Sequence, residues 1–322
     1  MSISLPVFLL HTGTSGPAAG ATFLLIGVIV GAGLVLGTFY AAGSLTPRTS
    51  TSTKTQTLTT TVTTTVSSGS SGTVLDDSIG QPVSQPVYSS LYQTSRVPYG
   101  TPGSSYLDYV RNYTGQVFYT GGKPIVVYAG GEFCLYCAVQ RWPLVLALMR
   151  FGNFTNLEYM TSSVADGDYA TFTFASSSYQ SDYVVFQSFE VYDRAGNPLE
   201  TLPTNYTAAF QEFGSGIPFL NFADKYVIPG SMLNPAILGT RNWTQIISSI
   251  QAGDALGSQI RQTSNVITAV ICKTTGNVPA SVCGQASIAT LTDSLVSYTP
   301  PSAGSGSELL LPGIAFEKAS TP

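Results

Sequence analysis

The chain has 322 residues, of which 9% are charged and 43% apolar, with a net charge of −4 and a sequence pI near 4.9. A phosphate-binding face needs a basic patch, and none is present, so nucleic acid is excluded as a partner. The one histidine, His11, precedes the apolar N-terminal run, so no Ser-His-Asp or Cys-His arrangement and no His-containing metal site can form in the folded part.

Residues 1–17 read as an N-terminal flank, and residues 1–47 carry no Asp, Glu, Lys or Arg. Residues 18–42 are apolar and small, long enough to cross a hydrocarbon core of about 30 Å as a transmembrane helix. A cleaved signal peptide is the alternative. The lack of a basic stretch before the run and of a small-x-small site after it speaks for a retained single-span anchor. Arg48 and Lys54 follow the span and argue for a cytoplasmic C-terminal side. Four Asn-x-Thr acceptor triplets, at Asn112, Asn153, Asn205 and Asn242, argue for the opposite side and mark glycosylation sites. Together with the even cysteine count, they place the bulk of the chain outside the cell.

Residues 43–103 read as a Thr/Ser/Gly/Pro-rich stalk, and eleven of the eighteen residues 49–66 are Thr. Val83, Val87, Tyr88 and Tyr92 give its C-terminal part something to pack with. The folded domain is expected over 104–294. A short helix is expected at 106–110, strands at 117–119 and 123–129, and a helix at 135–151 with Pro143 inside it. A second strand is expected at 156–162, an irregular polar stretch at 163–182, and a strand at 183–193. A short helix follows at 205–213, then a hairpin from 218–223 and 225–228. Helices are expected at 243–252, 257–272 and 280–294, and residues 295–322 read as a flexible tail. A βαβ unit followed by an antiparallel pair and a helix predicts an α/β fold with a mixed sheet flanked by helices.

The four cysteines fall into two pairs. Cys134 and Cys137 stand three apart, after the strand-like run and the turn Gly130-Gly131-Glu132-Phe133, at the start of a helix. Unpaired N–H groups and the helix dipole stabilise a thiolate there and lower its pKa. The second cysteine, one turn on, can close a small disulfide and release a bound partner. The plain alternative is a structural disulfide, but so short a loop contributes little entropy. Cys272 and Cys283 flank a turn between two helix-like segments and read as a structural disulfide stapling a helical hairpin; a second redox pair is the sharper alternative. A zinc site would need all four sulfurs, and the spacing of the second pair does not suit it. Glu132 is the carboxylate nearest the first pair and a candidate proton shuttle.

The order of elements, with a CxxC at the first strand-to-helix turn, resembles the thioredoxin superfamily. The Gly216-Ile217-Pro218-Phe219 stretch supports it, because the family carries a cis-proline there, facing the two cysteines. The resemblance implies a substrate-binding role for Pro218 and for the backbone of Ile217; the residues themselves add Tyr136, with Phe133 and Phe219, as an apolar patch for docking a peptide, core packing being the plain alternative. It also implies that 163–205 is an insertion and that the C-terminal helices are additions. The family's buried acid in the preceding strand is replaced by Tyr128. More closely, residues 105–292 are similar to an uncharacterised archaeal membrane-anchored family with a thioredoxin-like domain. The expectation is a membrane-anchored, extracytoplasmic thiol–disulfide oxidoreductase acting on protein thiols and disulfides, with a separate redox partner and without cofactor or metal. The alternative is a non-catalytic cell-surface binding protein that keeps the fold.

Overall fold

The computed structural model describes residues 76–98, 100, 104–116 and 118–297. The span expected at 18–42, the Thr-rich segment and the tail beyond residue 297 lie outside the described residues. Among the described residues, no helix is long and apolar enough to cross a membrane.

In chain order the elements are helix α1 (Gln85–Ser95), strands β1 (Arg111–Asn112), β2 (Tyr119–Thr120) and β3 (Lys123–Gly131), and helix α2 (Leu135–Leu148). Five strands follow: β4 (Gly152–Thr155), β5 (Glu158–Thr161), β6 (Ala170–Thr173), β7 (Ser178–Ser181) and β8 (Val185–Tyr192). Then come α3 (Thr207–Glu212), β9 (Phe219–Phe222), β10 (Tyr226–Pro229), α4 (Trp243–Ala252), α5 (Ala255–Thr275), α6 (Ala280–Cys283) and α7 (Ala286–Ser297).

The fold is mixed α/β. Strand β3 lies inside the main sheet, with β8 beside it in parallel and β9 antiparallel. Beyond β9 the order continues through β10 to β1. The Ile-Val-Val-Tyr run makes β3 a good central strand because β-branched and aromatic side chains suit a pleated, doubly covered surface. Its alternation divides the core. Val126 and Tyr128 join the cluster formed by α2, α5 and their neighbours. Val127 and Ile125 pack with Tyr206, and Ala129 packs with Ala209 of α3 and Phe219, on the other face.

Helix α2 is buried at every position from Cys137 to Leu148, so an amphipathic pattern is not required of it. It packs against α5, α1 and β6. Pro143 removes one helical donor, yet the helix runs on through it to Leu148. Asn242 caps α4 in a reciprocal box with Gln245. Gly253 and Gly276, at φ 68° and 69°, close α4 and α5 in the left-handed conformation that glycine adopts without a Cβ penalty.

Several elements depart from the expected reading. The strand expected at 156–162 is present as β5, and a further short strand, β4, precedes it, set off by Asn156 at φ 57°. β4 pairs with β7 and β5 with β6, in two separate two-stranded antiparallel sheets outside the main sheet. The strand returning in parallel after α2 is therefore β8. Residues 163–182, expected to be irregular, carry β6 and β7. β6 escapes recognition because its polar positions face inward: Thr171 donates to the Ala138 carbonyl and Thr173 to Glu132. The helix expected at 280–294 breaks at Gly284 into α6 and α7. Residues 85–95, read as part of the stalk, form α1, which buries Leu91 fully and packs Val87, Tyr88 and Tyr92 on the core.

Candidate functional site

Strand β3 ends in Gly130 and Gly131, where its register with β8 shifts. The chain turns through Glu132 and Phe133 and enters α2 with Cys134 as the N-cap, in extended conformation at φ −76° and ψ 124°. The Cys134 sulfur accepts the Cys137 backbone N–H over 3.3 Å. A residue with a sulfur at this position takes the part that a Ser or Asp oxygen usually plays at a helix start. Both cysteines are free and buried, Cys134 being 2% exposed.

The two thiols are driven apart. The hydrogen bond from the Cys137 side chain lowers the Cys134 thiol below its ordinary range, against burial and with help from two backbone N–H groups and the charge of Arg141. Burial pushes the Cys137 thiol well up, and the neighbouring Cys134 pushes the same way. One sulfur is thus prepared to ionise and the other is held as the thiol.

Ile217 joins Cys134 and Cys137 in one cluster, with Phe133, Tyr136, Val191, Tyr192 and Phe210 packed around it. The Ile217-Pro218 peptide is cis, and the Pro218 carbonyl accepts the Gly230 N–H over 2.8 Å. Glu132 is buried but turned towards β6, where its carboxylate accepts the Thr173 hydroxyl over 2.6 Å. Burial raises its pKa.

Two functional candidates escaped sequence reasoning. Arg141 on α2 and Glu190 on β8 form an ion pair with both side chains fully buried. Arg141 Nε donates to Glu190 Oε1 over 3.0 Å and Nη2 to Oε2 over 2.6 Å. Nη2 also donates to the Gly131 carbonyl over 2.9 Å. A signal existed: each is the one charged residue in an otherwise uncharged element, Leu135–Leu148 for Arg141 and Val185–Tyr192 for Glu190.

Cys272 and Cys283 are joined in a disulfide with a Cα–Cα distance of 5.6 Å, linking α5 to α6. Asn112, Asn153 and Asn205 are exposed, whereas Asn242 is half-buried and serves as the α4 cap. Among the described residues, no group of three or more His, Cys, Asp or Glu is placed to hold a metal ion. A cavity of about 400 Å³ lined by Tyr106, Tyr109, Arg111, Met232 and Gln259 shares no residue with the cysteine cluster.

Residues 110–212 match a family model described as a domain of unknown function, DUF929. That stretch contains Cys134, Cys137, Arg141 and Glu190 and stops before Ile217. No curated protein and no solved structure matches the chain.

Proposed function

We propose that the chain is a thioredoxin-like thiol–disulfide oxidoreductase, anchored by residues 18–42 with its folded part outside the cytoplasm. The observation that carries the reading is the dithiol at one helix start: Cys134 caps α2 and its sulfur accepts the Cys137 backbone N–H over 3.3 Å, an arrangement that lowers the first thiol and, with burial, raises the second. The cis peptide at Ile217-Pro218, in the same cluster as the cysteines, supports it.

In the reducing direction, the Cys134 thiolate attacks one sulfur of a client disulfide. A mixed disulfide forms, and the other client sulfur leaves as a thiolate. Cys137 then loses its proton to solvent or base and attacks the Cys134 sulfur. The Cys134–Cys137 disulfide forms, the second client thiolate leaves, and two electrons have passed to the client. The reverse sequence oxidises client dithiols. The Cys272–Cys283 disulfide fits an oxidising compartment and favours that direction.

The test is titration of the full chain against glutathione buffers, with each cysteine read by alkylation and peptide mass. Reversible cycling of Cys134–Cys137 between about −120 and −270 mV supports the reading. Resistance to reduction below about −300 mV, or failure of the pair to form, removes it. The location is tested separately: an electrophoretic shift on deglycosylation, lost in variants of Asn112, Asn153 and Asn205, supports an extracytoplasmic domain.

A second reading rests on the 2% exposure of Cys134 beneath its aromatic collar. In it the fold serves as a non-catalytic surface-binding module. Cys134→Ser would then leave the cellular phenotype intact, whereas the oxidoreductase reading requires its loss.

A further inference from the structure

Resting on the oxidoreductase reading, we propose that Arg141, held by Glu190, is the positioning residue of the dithiol: it clamps the turn that carries Cys134 and supplies the positive charge that favours the reduced pair. The geometry has three parts. Arg141 follows Cys137 by four residues on α2, so both lie on one helix face. Its Nη2 holds the Gly131 carbonyl over 2.9 Å, and that same carbonyl accepts the Cys134 backbone N–H over 3.3 Å. Its Nη1 is buried with no hydrogen-bond acceptor. A guanidinium carries five donors, and a buried donor without an acceptor is costly, so the pair leaves part of the guanidinium's positive charge untaken by hydrogen bonds, and that charge acts on both cysteines.

Glu190 fixes the guanidinium in this orientation. Its own backbone, in β8, is held from outside the strand by Glu200, whose Oε2 accepts the Glu190 N–H over 2.6 Å. The other ionisable groups around Arg141 are Tyr128 on β3, whose ring lies 5.7 Å from the guanidinium carbon, the two cysteines, and Glu132. Both cysteine thiolates are favoured by the Arg141 charge, and Glu190 opposes it at Cys137. The pair is neutral in sum, but its positive end acts on both sulfurs.

The consequence is a sign. A charge that favours thiolate stabilises the dithiol over the disulfide and makes the protein the stronger oxidant. The equilibrium is protein disulfide plus two glutathione giving protein dithiol plus oxidised glutathione. In the full chain, Arg141→Met is expected to lower its constant about tenfold, equivalent to about 30 mV for a two-electron couple, and to raise the pH midpoint for Cys134 alkylation. Glu190→Gln keeps the shape, leaves the guanidinium unopposed and is expected to shift both quantities the opposite way. Arg141→Lys keeps the charge but not the two-pronged clamp, and is expected to restore most of the potential.

Arg141→Met and Glu190→Gln each leave one member of the pair buried without its partner, so the double variant Arg141→Met/Glu190→Leu, which removes both charges of the pair, carries the test as well. It is expected to move in the Arg141→Met direction by a smaller amount. Unchanged potential and unchanged Cys134 midpoint in the folded variants would overturn the inference while leaving the oxidoreductase reading in place. Failure of the unsubstituted pair to cycle at all would instead overturn the reading beneath it.

Discussion

The backbone N–H of Cys137 points at the Cys134 sulfur from 3.3 Å, so Cys134 caps the helix on which its partner sits. A neutral thiol gains little from that position, whereas a thiolate meets the positive end of the helix. The alkylation rate of Cys134 in the reduced, folded protein is expected to level off at a pH below the ordinary thiol value of about 8.5. Cys137 is expected to react only after unfolding. Cys137→Ala removes the side-chain hydrogen bond that contributes most to lowering Cys134, so its midpoint moves up towards that of a free cysteine. A midpoint equal to free cysteine in the unsubstituted protein, or earlier alkylation of Cys137, would contradict the assignment of roles.

Access to the sulfur is governed by the collar. Phe210 of α3 packs against the cysteine cluster and edge-on to Phe219, with ring centroids 5.4 Å apart. Phe210→Ala is expected to speed alkylation of Cys134 several-fold and to cost about 1–3 kcal/mol of stability from lost apolar burial. The pH midpoint should stay where it was, since no polar partner is touched. An unchanged rate would mean that reagents reach Cys134 by a route Phe210 does not cover.

The site was legible in the sequence to the extent that its chemistry is local. Cys134, Cys137 and the turn from Gly130 to Phe133 lie within eight consecutive residues, and a helix start imposes its own physics on them. β3, β8 and the β9–β10 hairpin stood out because their apolar runs are long and β-rich. β6 did not, because Thr171 and Thr173 bury hydroxyls that find acceptors only in the folded state. The Arg141–Glu190 pair was hidden for a related reason. Its partners are 49 positions apart, and they meet only once β8 lies beside β3.

The Cys272–Cys283 disulfide closes a loop over a sequence separation of 11, between the end of α5 and α6. Opening a loop of that length returns conformational entropy to the unfolded chain. The double substitution Cys272→Ala/Cys283→Ala is therefore expected to cost about 2–4 kcal/mol, read as a lower denaturant midpoint at unchanged slope. The Cys134–Cys137 potential should not move. A shift in that potential would mean that the two pairs exchange electrons and that the C-terminal pair is more than a staple.

Glu132 makes folding stability depend on pH in the direction opposite to a salt-bridged carboxylate. Burial raises its folded pKa above the unfolded value of about 4.3. The folded protein then holds its proton more tightly, so this contribution is full below about pH 4 and is lost as pH rises through the folded value. Glu132→Gln keeps an oxygen to accept the Thr173 hydroxyl and cannot ionise. Melting temperatures of the two proteins, followed from about pH 4 to about pH 8, should diverge in favour of Glu132→Gln as pH increases. Convergence with rising pH would reverse the sign of the shift.

Tyr128 and Gly130 share a space that only one of them can fill. The Tyr128 side chain, led by its hydroxyl, occupies the volume where a Cβ on Gly130 would begin. Gly130→Ala must displace a fully buried ring beside the Arg141–Glu190 pair, so a cost of about 1–3 kcal/mol is expected, with disturbance of the turn that carries Cys134. The Tyr128 hydroxyl has no hydrogen-bond partner among the described residues. Tyr128→Phe removes a buried polar group at constant ring volume and is expected to raise stability by about 1 kcal/mol. The denaturant midpoints of the two variants should therefore move in opposite directions. A fall for Tyr128→Phe would show that the hydroxyl is hydrogen-bonded in the folded protein, and the effect of the same substitution on Cys134 alkylation would tell whether that bond reaches the dithiol.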